Sequence, residues 1–159
     1  LERVDKILQH PKYIEYMQRI ATDEKDRIFC RHDLQHAIDV ARIAYILVLE
    51  NKLIMKKDMI YATALLHDIG RWKEYEESAE HAEASAELAA EILADCGFDA
   101  EEREFMLKAI RDHRKSGTQS TFLSSIIYKS DKMSRLCIDC DARDQCKRFA
   151  NGGKINLYY

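Results

Sequence analysis

The chain has 159 residues, of which 47% are hydrophobic and 33% charged, with a net charge of −3; this suits one domain with a real core and is too short for two comfortable ones. A single proline and five glycines argue against a turn-rich all-β fold, and no run of roughly 18 apolar residues offers a membrane span. A pI near 6.1 disfavours a broad nucleic-acid surface and suits small anionic substrates. The opening Leu1-Glu2-Arg3-Val4 lacks the apolar core of a signal peptide, so a cytoplasmic protein is expected. The five cysteines are odd in number, which points to reduced thiols or metal ligands rather than a disulfide framework.

Residues 2–20 carry Val4, Ile7, Leu8, Tyr13, Ile14, Met17 and Ile20 at helical spacing, with Pro11 breaking or restarting the helix. After a polar stretch, an amphipathic helix is predicted from about residue 32 to 49, with His36, Val40, Ile43 and Leu47 on its inner stripe and His32 on the same face. The next helix is predicted to start at an Asp58 N-cap and run through Met59, Ala62, Leu65 and Leu66 to His67-Asp68, where a left-handed Gly70 ends it. Residues 71–77 read as a charged connection. Within it, Trp72 and Tyr75 either anchor the loop, the commoner role, or cover a bound nucleoside.

Ser78 is the predicted cap of a helix bearing Ala82, Ala86, Ala89, Ala90 and Leu93, stopped by Gly97. The sequence Asp99-Ala100-Glu101-Glu102 has the form of a capping box opening a helix to about His113. Residues 115–118 read as a loop. The last long helix, from about residue 120 to 136, presents Phe122, Leu123, Ile126, Ile127, Lys129 and Asp131. Tyr45, Tyr61, Phe122 and Tyr128 are expected in the core, and the run from Asn151 to Lys154 in a turn, because no Ser or Thr follows to make a phosphate loop. The expected fold is all-α: one domain over 1–159 of six or seven helices, with a core at about 28–136, an N-terminal packing helix within 1–27 and a cysteine-bearing tail at 137–159.

An apolar helix that ends on His67-Asp68 presents two metal-ligand side chains together, and imidazole with carboxylate binds divalent cations well. His36, then His67-Asp68, then Asp131 resembles the ordered H, HD, D signature of the HD superfamily of metal-dependent phosphohydrolases. The run His36-Ala37-Ile38-Asp39-Val40-Ala41-Arg42-Ile43-Ala44 is similar to the family's first-ligand helix. Leu65-Leu66-His67-Asp68-Ile69-Gly70 is similar to its central motif, and Ile127-Tyr128-Lys129-Ser130-Asp131-Lys132 to its last-ligand helix. The resemblance covers about residues 28–136. His81 and His113 fall where members with a second cation carry further ligands; direct metal binding, phosphate contact and structural packing are all open for them.

The resemblance implies a phosphohydrolase with one or two divalent cations (Mn, Fe, Mg, Co, Ni or Zn) held by His36, His67, Asp68 and Asp131, with His81 and His113 for the second. His32 is expected to support His36. Asp68 with Arg71 and Lys132 is the expected catalytic set. His81, His113, Arg71, Arg114 and Lys132, together with Lys115, are the expected contacts to phosphate. The implied substrate is a nucleotide or another small phosphorylated molecule, and oligomeric state stays open. No Gly-Tyr-Pro follows the His-Asp pair, which disfavours the cyclic-dinucleotide branch. The competing reading is a non-catalytic sensor that binds a nucleotide or metal in the same pocket. In the tail, Cys137, Cys140 and Cys146, joined by Cys30, could hold zinc or an iron–sulfur cluster, or could pack as reduced thiols.

Overall fold

Pro11 has no amide hydrogen to give, and the N-terminal apolar stretch divides there into α1 (Glu2–Gln9) and α2 (Pro11–Asp23), with proline in the first helical turn, where a missing donor costs nothing. In the computed structural model, which describes residues 1–114, 117 and 119–159, there follow α3 (Leu34–Glu50), α4 (Lys57–Leu66), α5 (Arg71–Glu77), α6 (His81–Asp95), α7 (Ala100–Asp112) and α8 (Phe122–Met133). The tail forms two 3-10 turns, Cys137–Asp139 and Arg143–Gln145, and a four-residue α9 (Lys147–Ala150). No strand occurs among the described residues, so the fold is all-α as expected. No helix among them is long and apolar enough to cross a membrane.

Several local expectations are corrected. Residues 71–77 are a helix, because Trp72 turns inward and stacks on Tyr16 with ring centroids 5.8 Å apart, so the segment gains a packed face; this takes the helices of seven residues or more among the described residues to eight. Ser78 closes that helix in the left-handed conformation (φ 58°), and Glu80 caps α6 by accepting from the Glu83 amide at 2.9 Å. Lys56, not Asp58, is the N-cap of α4; Asp58 lies in the first turn, where its carboxylate pairs with Arg3 at 2.7 Å. His32 precedes α3, whose N-cap is Asp33, so it shares no helical face with His36. Phe122 is 70% exposed, since as the first residue of α8 it points away from the bundle. The Asp99–Glu102 capping box is present, and Gly97 has φ 86°, the left-handed conformation that favours glycine after a helix end.

Helix α3 packs against α4 and α8, α6 against α7, and α7 against α8, around an apolar cluster that includes Ile7, Val40, Ile60, Leu66, Ile92, Met106, Leu123 and Ile127. Arg3 ties α1 to this body: it pairs with Asp58 of α4 and Glu102 of α7, and its guanidinium lies 4.0 Å over the Phe98 ring.

Gly70 is not left-handed; its φ is −87°, which any residue adopts. Glycine stands there because α6 crosses too closely for a side chain. A Cβ would lie 2.4 Å from the Ser85 amide nitrogen and 2.8 Å from the His81 carbonyl oxygen, both backbone atoms. The Gly70 amide donates to Ser85 Oγ at 2.8 Å, which seats the turn after α4 on the first turns of α6. We expect Gly70→Ala to destabilise the protein by about 1–3 kcal/mol through overpacking. Urea denaturation checks this, and unchanged stability would show that the α4–α6 approach yields easily.

Candidate metal centre

The histidines that converge in the bundle are each anchored through one ring nitrogen. His67 and His113 are the C-cap residues of α4 and α7, and the Nδ1 of each donates at 2.6 Å to a carbonyl three residues back, Ala64 and Ile110 respectively. A carbonyl only accepts, so Nδ1 carries the proton and Nε2 presents a lone pair. His81 Nδ1 lies 2.8 Å from Glu74 Oε2, and His36 Nδ1 lies 3.3 Å from Ser134 Oγ, whose own hydrogen goes to the Asp131 carbonyl. Anchoring one nitrogen and aiming the other is how metal-binding imidazoles are oriented.

The free nitrogens meet two carboxylates. Asp68 Oδ2 lies 3.0 Å from His67 Nε2 and 3.8 Å from His36 Nε2, and Asp131 Oδ1 lies 3.4 Å from His36 Nε2. Asp68 Oδ1 faces the other way, 3.4 Å from His81 Nε2 and 3.5 Å from His113 Nε2. One ligand atom from each of His36, His67, Asp68 and Asp131 lies within 4.8 Å of the others, and the same holds for Asp68, His81 and His113. Asp68 belongs to both groups.

The donor set fits a cation. His36 Nε2, His67 Nε2 and Asp68 Oδ1 are buried without a hydrogen-bond partner, a costly state for polar atoms unless something positive is shared among them. His81 Nε2 and His113 Nε2 stand 3.3 Å apart with their protons committed elsewhere, so two lone pairs oppose each other where a cation would join them. Imidazole and carboxylate together suit divalent first-row metals.

Charge in the cluster is coupled. Burial works to raise the Asp68 carboxyl, yet the surrounding imidazoles, His67 and His32 foremost, hold it well below the ordinary carboxylate range. Asp131 is likewise held low against burial by His36 and Arg135. Burial lowers His36, but Asp131 and Asp68 outweigh it and bring the ring to about 9, so a proton occupies this nitrogen where a cation would displace it. His81 falls to about 4, mainly through burial, and is neutral and ready to ligate at pH 7.

Beside the cluster lies a cavity of about 150 Å³ lined by Asp68, Asp131, His81, His113, His32 and four cations: Arg71, Arg114, Lys132 and Arg135. Arg71 reaches Glu74 at 2.5 Å and His32 Nε2 at 2.7 Å. Arg114 pairs with Glu80 at the rim, and Lys132 with Asp131. His32 is not among the metal-capable groups; its Nδ1 contacts Glu24 Oε1 at 2.5 Å, and Glu24 also takes the His32 amide and the Tyr75 hydroxyl.

All six sequence-predicted ligands are thus gathered, as are the predicted cations Arg71, Arg114 and Lys132; Lys115 lies outside the described residues. Trp72 and Tyr75 anchor their segment rather than covering the cavity. No three of Cys30, Cys137, Cys140 and Cys146 have their sulfurs within 4.8 Å of one another. Three residues escaped the sequence reading: Arg135, whose guanidinium is 3.4 Å from both Asp131 oxygens, and the buried carboxylates Glu24 and Glu74. Arg135 had a signal only in its closeness to Asp131, four residues on; it lies beyond α8, which ends at Met133. Glu24 had none, being joined to His32 through non-helical chain.

A family model described as HD domain matches residues 33–136. The chain is 39% identical to an uncharacterized protein of Clostridium beijerinckii over the full length of both. It is 28% identical to ribonuclease Y of Enterococcus faecalis over 79% of this chain and 22% of that protein, so it spans about a fifth of ribonuclease Y. A crystal structure of a predicted HD superfamily hydrolase from an uncultured Thermotogales bacterium superposes with a TM-score of 0.60 at 30% identity, over 76% of this chain and 66% of that one.

The buried Glu24–His32 pair has a pH signature. Burial would raise Glu24, but His32 and Tyr75 bring it from 4.5 to about 2. A depressed carboxylate stabilises the fold fully above its unfolded value and loses that contribution as pH falls through the folded one. Wild type should therefore exceed Glu24→Gln in stability above pH 4.5, and the gap should close toward pH 2. Denaturant titration of metal-free protein across that range checks it, and a gap independent of pH would count against an ionised Glu24.

Proposed function

The chain belongs to the HD-domain family, and from that membership together with the ligand geometry we propose that it is a metal-dependent phosphohydrolase cleaving a phosphoester or phosphoanhydride of a nucleotide or other small phosphorylated molecule. The observation that carries this reading is the pair of metal-capable groups sharing Asp68, with His36 Nε2, His67 Nε2 and Asp68 Oδ1 left unpartnered in a buried site. His36, His67, Asp68 and Asp131 would hold one cation, and Asp68, His81 and His113 could hold another. Such a divalent cation would supply an activated water near neutral pH and polarisation of the phosphoryl group.

The chain's own groups do the rest. Arg71, Arg135 and Lys132 converge on the cavity and neutralise the charge that grows on the phosphoryl oxygens as the bond breaks. The buried Nε atoms of Arg71 and Arg135 donate no hydrogen bond within the protein, Arg71 Nε lying 3.6 Å from Asp68 Oδ1, which leaves donors for a phosphate. Glu24 fixes the His32 ring with Nε2 toward Arg71, so Arg71 is held in place from behind. A cavity of about 150 Å³ is smaller than the roughly 300–1,000 Å³ that enclose whole drug-sized ligands, so it takes the phosphoryl end of the substrate while the remainder lies outside. The RNA cleavage that ribonuclease Y is named for is also phosphoester hydrolysis and supports the bond class; its substrate is not carried over, given the share of that protein matched.

A panel of nucleotides, dinucleoside polyphosphates and simple phosphate esters, assayed with reconstituted divalent metals, tests the proposal. Turnover is expected with at least one substrate, Asp68→Ala and Asp131→Ala should lose metal and activity together, and Arg71→Ala should lower kcat/KM by about 10²-fold. Binding without turnover across all metals would favour a sensor, and full activity in Asp68→Ala would remove the metal centre from the chemistry.

A further inference from the structure

The segment after α8 is held to the bundle by something other than a hydrophobic core. Residues 137–150 form two 3-10 turns and the four-residue α9, and among them Ala142 alone is buried. Leu136 and Ile138 are 66% and 54% exposed. One buried alanine offsets little of the entropy lost in ordering such a stretch, and chain segments without a core of their own are commonly fixed by a disulfide or a metal.

What the segment offers instead is sulfur. Cys30, from the loop before α3, lines a cavity of about 360 Å³ together with Cys137 and Cys140. Cys146 follows Cys140 around the Arg143–Gln145 turn, which is tied by the Arg143 amide to the Cys140 carbonyl at 3.3 Å and by the Cys146 amide to the Arg143 carbonyl at 3.0 Å. All four thiols are free and partly buried, whereas Cys96 belongs to the apolar core. Asp139 and Asp141 at this cavity oppose a cluster of thiolates, but guanidinium groups compensate: Arg31 and Arg135 line the same cavity, and Arg148 Nη1 lies 3.7 Å from Cys137 Sγ.

We propose a second metal site, distinct from the His/Asp centre, in which Cys30, Cys137, Cys140 and Cys146 bind one zinc ion as a tetrathiolate that staples the tail to the start of α3. Thiolate softness and four ligands favour zinc in a closed structural site. Cys30, Cys137 and Cys140 share one cavity and Cys146 lies outside it, so ligation draws the Cys140–Cys146 turn inward. Because Ser134 and Arg135, which touch His36 and Asp131, immediately precede the tail, the staple also fixes one wall of the neighbouring centre.

Zinc release by an organomercurial, followed with a chromophoric chelator, tests the site in intact protein, because mercury displaces thiolate-bound zinc and leaves zinc on imidazole and carboxylate in place. Wild type and Asp68→Ala should each release one zinc per chain, and Cys140→Ser should release none. Cobalt-substituted wild type and Asp68→Ala should share thiolate-to-cobalt charge transfer and tetrahedral visible bands that Cys140→Ser lacks. The proposal is overturned if native wild type releases no zinc while its tail thiols react freely, if zinc release persists in Cys140→Ser, or if the thiols carry iron with labile sulfide. The mercurial titration of wild type decides the matter even if Cys140→Ser does not fold.

Discussion

The carboxylate of Asp68 is the group around which the bundle is arranged. A buried, ionised aspartate is expensive unless positive charge compensates it; Arg71 stands beside it on α5, and each neighbouring helix aims an imidazole nitrogen at it, His36 from α3, His67 from the end of α4, His81 from α6 and His113 from the end of α7, a set that a shared cation would complete. Asp131 of α8 adds a second buried carboxylate against His36. The bundle surrounds a charged centre as well as an apolar one, and the apolar packing of α3, α4 and α8 keeps the imidazoles close enough to matter.

The positioning devices lie mostly at helix ends. The last carbonyls of an α-helix lack intrahelical donors, and in both α4 and α7 the C-cap histidine supplies one through Nδ1, so the bond that serves a helix-end carbonyl also aims Nε2 into the site. The turn that follows α4 can lie against α6 only because Gly70 has no side chain. That approach brings His81 to Asp68, and Asp68 joins the two metal-capable groups.

Around the anionic centre, the cations differ in how firmly the protein holds them. Arg71 is braced by Glu74 and His32, and Arg135 by Asp131, so both are held in place; Arg114 pairs with Glu80 at the rim. Arg135 sits where α8 gives way to the cysteine-bearing tail. The wall of the His/Asp cavity and the tail are therefore one continuous stretch of chain.

The sequence by itself determined the all-α class, the break at Pro11, the capping box at Asp99 and the order of His36, His67-Asp68 and Asp131 along the chain, because helical periodicity, caps and adjacent polar residues are local patterns that tertiary packing has no need to overrule. It misjudged residues 71–77, Ser78, Asp58 and Gly70, where charge or turn propensity competes with a distant contact: Trp72 with Tyr16, Asp58 with Arg3, Gly70 with the α6 backbone. Only the tertiary structure decided that Glu24 backs His32, that Glu74 anchors His81 and that Asp68 turns one oxygen toward each histidine group. Those facts depend on helices meeting end to face across the bundle, and no spacing along the chain encodes the distance between a carboxylate and an imidazole carried by different elements.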